Sequence, residues 1–107
     1  MNQSDFECIV KECIARCTKT LDIKAEEYST DDRLHNFKAA ARLQGCAPER
    51  ALLGMWAKHI VSVVDIVRDI EAGKLPPEDL VHEKLTDVMN YAMLLEALID
   101  ERMGGMP

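Results

Sequence analysis

The chain has 107 residues, of which 48% are hydrophobic, 30% are charged and 5% are aromatic. One hydrophobic core is sustained comfortably at this length, so residues 1–107 are expected to form a single domain. The formal net charge of −6 argues against direct nucleic-acid binding, because phosphate backbones are bound through basic patches and the sequence has no Lys/Arg cluster.

An acidic surface does not exclude a nucleotide ligand, because a divalent cation held by carboxylates can carry phosphate charge into an acidic site. No apolar run reaches the roughly 18 residues of a membrane span, and no basic start precedes an apolar stretch. We therefore expect a cytoplasmic protein with no membrane partner. The cysteines form no C-x-x-C pair, which favours buried thiols over metal ligands or disulfides.

The first predicted helix begins at a capping box, in which Ser4 and Glu7 satisfy each other's backbone donors. Apolar residues follow at three- and four-residue spacing as far as about Leu21, which predicts one apolar stripe. From Asp22 to Asp32 this periodicity fails, so the segment is predicted to be a loop or a frayed helix end.

A short second helix is predicted from about Asp32 to Gln44, with Gly45 as its C-terminal stop. The residues expected to point inward are Leu34, Phe37, Ala41 and Leu43. The third helix should run from Pro48 to Glu71, because proline suits the first helical turn. Its apolar residues cover far more than one stripe.

The fourth helix is predicted from about Glu78 to Met103, with Gly104 and Gly105 ending it, and it too is apolar on two sides. Two shorter helices cannot cover that much apolar surface, so part of it should meet another subunit. The predicted fold is all-α and four-helix bundle-like, with two long central helices, and it assembles as a homodimer or a tetramer.

Polar residues mark one edge of each long helix at offsets of three or four residues. These are Lys58, Ser62, Asp65 and Asp69 on the third helix, and Glu83, Asp87 and Asn90 on the fourth. One interpretation is a half-buried Mg²⁺ site, since Mg²⁺ takes a few carboxylates plus water and phosphate oxygens. The other is a solvated face that only sets helix register. His59 is interpreted as a core or interface histidine and Trp56 as a packing residue.

Several short segments support a resemblance to a known family between about Ala25 and Arg102. They are Glu26-Glu27-Tyr28, Asn36-Phe37, Lys58-His59 with Ser62 and Asp65, and Glu83-Lys84-Leu85-Thr86-Asp87 with Asn90-Tyr91. The chain resembles a group of small phage and prophage proteins. These are similar to the nucleotide-modification-associated and MazG-like all-α nucleoside triphosphate pyrophosphatases.

In that superfamily an E-x-x-E on one helix and an E-x-x-D on the next bind Mg²⁺, which helps water to attack a nucleoside triphosphate and release pyrophosphate. Here the first motif falls on Ser62 to Asp65 and the second on Lys84 to Asp87, so only the second carboxylate of each pair is present. Asp69 and Glu83 would act as replacements.

The resemblance therefore implies a role for each candidate residue. Mg²⁺ would be held by Asp65, Asp69, Glu83 and Asp87, with Glu83 and Asp87 also catalytic. The nucleotide would be bound by Lys58, Ser62, Asn90, Tyr91, Glu26 and Glu27. The alternative function is a non-catalytic helical oligomer or partner-binding phage protein.

Overall fold

The computed structural model describes residues 1–27 and 30–105, and these form four helices. The helices are α1 (Gln3–Glu27), α2 (His35–Gln44), α3 (Pro48–Glu71) and α4 (Glu78–Arg102). α3 packs against both α2 and α4, and α1 packs against α4. The prediction of an all-α fold with four packed helices is confirmed. Within the described ranges, no helix has the length and apolarity needed to cross a membrane.

The first helix differs from its prediction at both ends. The side chain of Asn2 accepts a hydrogen bond from the backbone N–H of Asp5 at 2.8 Å, so Asn2 caps α1 and the prediction that Ser4 does so is wrong. α1 also continues to Glu27 instead of ending near Leu21. α1 is therefore a third long helix. Tyr28, which belongs to the segment quoted above, lies outside the described residues.

The second helix starts later than predicted because a side chain caps the turn before it. Asp32 Oδ1 accepts a hydrogen bond from the backbone N–H of Leu34 at 3.0 Å, and α2 begins at His35. Gly45 ends the helix with φ of 67°, a left-handed conformation that favours glycine, as predicted. Leu43 is 90% exposed, so the prediction that it points inward is wrong.

Two ion-pair groups tie the helix ends together on one side of the protein. Lys38 Nζ lies 2.6 Å from both Asp32 Oδ2 and Glu101 Oε1, which links the start of α2 to the end of α4. The hydrogen bond from Lys38 lowers the pKa of the Asp32 carboxyl group. Arg102 donates two hydrogen bonds of 2.8 Å to Glu49, which joins the end of α4 to the start of α3.

The core lies between α2, α3 and α4. It consists of the buried residues Leu34, Phe37, Leu52 and Leu98, with Met55, Trp56, Tyr91, Leu94 and Leu95 packed against them. Leu52 is completely buried. α1 contributes no residue to this cluster, because its only buried residue is Cys17.

Leu52→Ala should therefore destabilise the protein strongly. Removing a fully buried leucine side chain loses its transfer free energy and leaves a cavity, which costs about 2–5 kcal/mol. Leu43→Ala is the matched control, because the 90% exposed Leu43 side chain should change the free energy of unfolding by less than about 0.5 kcal/mol. Urea denaturation of both variants measures the difference. Equal effects would contradict the position of the core.

The cysteines are free thiols in different environments. Cys17 is buried, and burial raises the pKa of its thiol. Cys8 is exposed, so the expectation of buried thiols is confirmed for Cys17 and wrong for Cys8. Cys13 Sγ accepts a hydrogen bond from Nη2 of Arg16 at 3.3 Å.

The chain leaves much of its apolar surface uncovered. Its radius of gyration is 16.1 Å, whereas a compact domain of this length has about 13 Å. Large exposed apolar side chains occur on all three long helices: Phe6, Ile9, Val10, Ile14 and Ile23 on α1, Leu53, Ile60, Val61, Val64, Val67 and Ile70 on α3, and Leu85, Met93 and Ile99 on α4. Monomers rarely expose contiguous apolar patches on this scale.

Candidate functional site

A cavity of about 540 Å³ lies where the four helices meet. Its lining residues come from α1, from α2 and the turn before it, from α3 and from α4: Thr20, Leu21, Lys24, Arg33, Asn36, Phe37, Met55, His59, Asp87, Asn90, Tyr91 and Leu94. This volume falls within the range of small-molecule sites, which are mostly apolar with a few polar groups that orient the ligand.

The most unusual residue in the cavity wall is Asn90. It is only 4% exposed, yet neither its Nδ2 nor its Oδ1 has a hydrogen-bond partner within the described part of the chain. An unpaired polar group in the interior costs about 1–3 kcal/mol. An amide presents a donor and an acceptor side by side, so it matches a ligand that offers both.

Three rings line the same cavity as this amide: Phe37 of α2, His59 of α3 and Tyr91 of α4. Tyr91 meets Phe37 edge to face, with ring centroids 6.1 Å apart, and lies 4.8 Å from the imidazole of His59 in a tilted arrangement. His59 Nδ1 is in turn 3.5 Å from Asp87 Oδ2. The cavity therefore combines aromatic faces, which suit a planar ligand group, with a carboxylate and an imidazole.

The polar part of the wall also includes cationic side chains. Lys24 of α1 and Arg33, which precedes α2, both line the cavity. Lys24 Nζ lies 3.2 Å from Glu27 Oε2 at the end of α1. These positive charges would attract an anionic group of a ligand. Asp87 contributes a negative charge to the same cavity.

The candidate residues predicted on α4 are brought to this region. Asp87, Asn90 and Tyr91 line the cavity, and Glu83 lines an adjoining groove that Asp87 also lines. Along the polar edge of α4, Asn90 is buried and Asp87 is half-buried, whereas Glu83 is exposed. The other side of α4, which carries Leu85, is partly exposed.

The candidate residues predicted on α3 lie elsewhere. Lys58, Asp65 and Asp69 are exposed, and the hydroxyl of Ser62 donates to the backbone oxygen of Lys58 at 3.2 Å. They are not among the residues that line the cavity. Glu26 and Glu27 are exposed at the end of α1. Across residues 1–27 and 30–105, no three His, Cys, Asp or Glu side chains cluster closely enough to hold a metal ion.

His59, Lys24 and Arg33 are not predicted as site residues from the sequence, where His59 is interpreted as a core or interface histidine. It follows buried Leu52 by seven residues and precedes buried Ile66 by seven, so all three share one face of α3. The feature of the sequence that indicates His59 is the presence of a histidine on a helix face whose other residues are apolar. The adjacent Lys58 is predicted instead, but it is exposed and does not line the cavity.

Fold and site together define an all-α four-helix protein with an internal, partly polar cavity. Comparisons of the chain with models of protein families, with curated proteins and with solved structures give no match. The geometry of the cavity is therefore the basis for a function.

Proposed function

We propose that the protein binds a nucleotide in the cavity between its four helices. The observation that carries this proposal is the buried Asn90 amide with both polar atoms unpaired. Nucleobase edges present a donor and an acceptor side by side, and an asparagine side chain forms two hydrogen bonds with such an edge. The base would lie near Asn90, beside the rings of Tyr91 and Phe37.

The charges of the cavity wall support a phosphorylated ligand rather than a free base. Lys24 and Arg33 supply positive charge, which attracts phosphate oxygens. The rings supply surfaces on which a base can stack. This combination favours a nucleotide over a purely apolar ligand.

The carboxylates of α4 fit a magnesium ion that is shared with the ligand. Asp87 and Glu83 are one helical turn apart, and both line the groove that adjoins the cavity. Mg²⁺ usually takes one or two protein carboxylates together with substrate phosphates and water, so a cage of protein ligands alone is not needed. Bound there, the ion would neutralise phosphate charge. Asp65 and Asp69 are not part of this proposal.

The reaction implied for such a site is hydrolysis of a nucleoside triphosphate to a monophosphate and pyrophosphate. The oxygen of water bonds to the α-phosphorus, and the bond from that phosphorus to the oxygen bridging to the β-phosphate breaks. Asp87 accepts a proton from the water, assisted by Glu83. Turnover is measured separately from binding, as pyrophosphate released.

Thermal melting with Mg²⁺ and a panel of nucleotides tests the proposal directly. A ligand at about a hundred times its dissociation constant stabilises the folded state by about 2.7 kcal/mol. We expect a base-dependent increase in melting temperature. If no nucleotide changes the melting temperature, the proposal is wrong and the chain is better described as a non-catalytic helical oligomer.

Asp87→Asn should remove the Mg²⁺-dependent part of nucleotide binding. Losing a charged partner costs about 1.5–3 kcal/mol, so affinity in Mg²⁺ should fall by roughly 10- to 100-fold, towards the value without Mg²⁺. Calorimetric titrations with and without Mg²⁺ measure this.

The matched control is Asp69→Asn, which removes an exposed carboxylate of α3 outside the cavity. It should bind nucleotide as the unmodified protein does. Equal losses in both variants would instead favour a metal site that includes the α3 carboxylates, as predicted from the sequence.

We also infer that the exposed apolar stripe of α3 is covered by a second copy of this chain. The stripe consists of Leu53, Ala57, Ile60, Val64 and Val67, all exposed and on one side of the helix. It extends over roughly 21 Å.

The ends of this α3 stripe carry opposite charges, which favours an antiparallel pair of α3 helices. Arg50 lies at its amino end and Glu71 at its carboxyl end, and both are exposed. Their midpoint in the sequence falls between Ile60 and Val61, near the centre of the stripe. A two-fold axis there places Arg50 opposite Glu71 of the partner subunit at both ends. α1 and α4 expose further apolar side chains, through which two dimers could form a tetramer. A measurement of molecular mass distinguishes the dimer from the tetramer.

A further inference from the structure

A groove of about 470 Å³ lies between α1 and α4, beside the cavity. This volume is within the range of small-molecule sites. The groove is lined from α1 by Arg16, Lys19 and Ile23, and from α4 by Glu83, Thr86 and Asp87. Its two walls therefore differ in charge, with cations on α1 and carboxylates on α4.

Each wall of the groove holds a buried polar atom without a partner. Within the described residues, neither Oγ1 of Thr86 nor Nε of Arg16 has a hydrogen-bond partner. The Thr86 residue as a whole is only 4% exposed. Buried polar side-chain atoms in native proteins usually have a partner. Since a hydroxyl and a guanidinium N–H can both donate, an acceptor between the two walls would satisfy both.

The charge of Arg16 also has no counter-ion in the protein. Nη2 of Arg16 donates to Sγ of Cys13 at 3.3 Å, but a thiol sulfur is a weak acceptor and does not neutralise a guanidinium. Within the described part of the chain, no ion pair involves Arg16 or Lys19. The planar guanidinium therefore keeps donors that match the two oxygens of a carboxylate.

The α4 wall favours a singly charged anion over a phosphate. Glu83 and Asp87 repel any anion in the groove, and this repulsion grows with the charge of the ligand. A carboxylate carries one negative charge, whereas a phosphate monoester carries about −1.5 to −2 near neutral pH. Ile23, which is 46% exposed, offers apolar surface to the carbon skeleton of a ligand.

We propose that this groove binds a small organic acid, whose carboxylate lies between Arg16 and Thr86. The guanidinium binds the two carboxylate oxygens, the hydroxyl of Thr86 donates to one of them, and Lys19 adds positive charge. This inference does not rest on the proposed function, because Asn90 and the aromatic rings of the cavity do not line the groove.

Amide chemical shifts recorded by NMR during titration with acetate, propionate and succinate test the site. Acetamide, which has the same shape as acetate without the charge, is the control ligand, and inorganic phosphate is the competing anion. We expect a carboxylate to shift the amide signals of Arg16, Lys19 and Thr86. Acetamide should not shift them, and phosphate should bind more weakly than the carboxylate.

Three substitutions separate a ligand contact from a structural role. Thr86→Val removes only the unpaired hydroxyl, so carboxylate affinity should fall by roughly 10- to 100-fold while the folded state is at least as stable. Thr86→Ser keeps the hydroxyl and should keep the affinity. Arg16→Lys keeps the charge but loses the paired donors, so affinity should fall by a similar factor. Lys11→Gln, on the exposed surface of α1 outside the groove, is the matched control.

Two results would overturn the carboxylate site. One is that none of the three carboxylates shifts the groove amides, or that Thr86→Val and Arg16→Lys bind them as the unmodified protein does. The other is that phosphate binds at least as tightly as the carboxylates, which would make the groove a general oxyanion site. A failure of nucleotides to bind would contradict the proposed function alone, because these titrations contain no nucleotide.

Discussion

Asn90→Leu should make the protein more stable and abolish nucleotide binding. The native amide is buried with both polar atoms unpaired, so replacing it by an apolar side chain relieves a cost of about 1–3 kcal/mol. The adjoining cavity provides room for the larger side chain. Urea denaturation measures the gain in the free energy of unfolding, and nucleotide titration measures the loss of binding.

If the role of Asn90 is to bind a ligand and not to stabilise the fold, its replacement should raise stability and lower nucleotide affinity. Gln44→Leu is the control, because it replaces an exposed amide outside the cavity and should leave nucleotide affinity unchanged. If Asn90→Leu unfolds the protein or binds nucleotide normally, the amide has a structural role and the proposed function loses its main support.

If the proposed dimer forms, Val64→Asp should convert it into a monomer. Val64 lies about one helical turn from the centre of the exposed α3 stripe, and the two-fold axis would repeat the substitution on the partner helix. Central interface residues cost about 2 kcal/mol or more each, so two copies would weaken association by about a thousandfold. Light scattering coupled to size-exclusion chromatography measures the mass of each variant.

Leu43→Asp is the matched control, since it places the same charge at an exposed leucine of α2. It should leave the mass unchanged. Arg50→Glu should weaken the dimer, and adding Glu71→Arg should restore it, which tests the antiparallel register specifically. If the unmodified protein is a monomer at tens of micromolar, a second copy does not cover this α3 stripe.

Helix boundaries could be predicted where a local residue determines them. Pro48 starts α3 and Gly45 ends α2 as expected, because the proline ring and the left-handed glycine act on the backbone at that position alone. The end of α1 was missed because its apolar periodicity stops near Leu21 while helix-forming residues continue to Glu27. The exposure of Leu43 was predictable, since it lies on the side of α2 opposite Phe37 and Ala41.

Only a small part of the cavity wall was predictable from the sequence. Asp87 and Asn90 were predicted from the spacing on α4 and Tyr91 from the family resemblance, and all three line the cavity. The corresponding pattern on α3 led to Lys58, whereas the cavity is lined by the next residue, His59. Successive side chains on a helix differ in direction by about 100°. A small error in the predicted orientation of the helix therefore assigns the site to the neighbouring residue.

The sequence by itself determined the all-helical class, the extent of α3 and nearly all of α4, and the presence of two different faces on each long helix. These properties depend on neighbouring residues along one chain segment. Only the tertiary structure decided that Asp87 and Asn90 of α4 line the cavity, while apolar Leu85 and the α3 stripe remain on the outside. Periodicity determines the angles between side chains on one helix, but the direction of each face depends on how separate helices pack against one another.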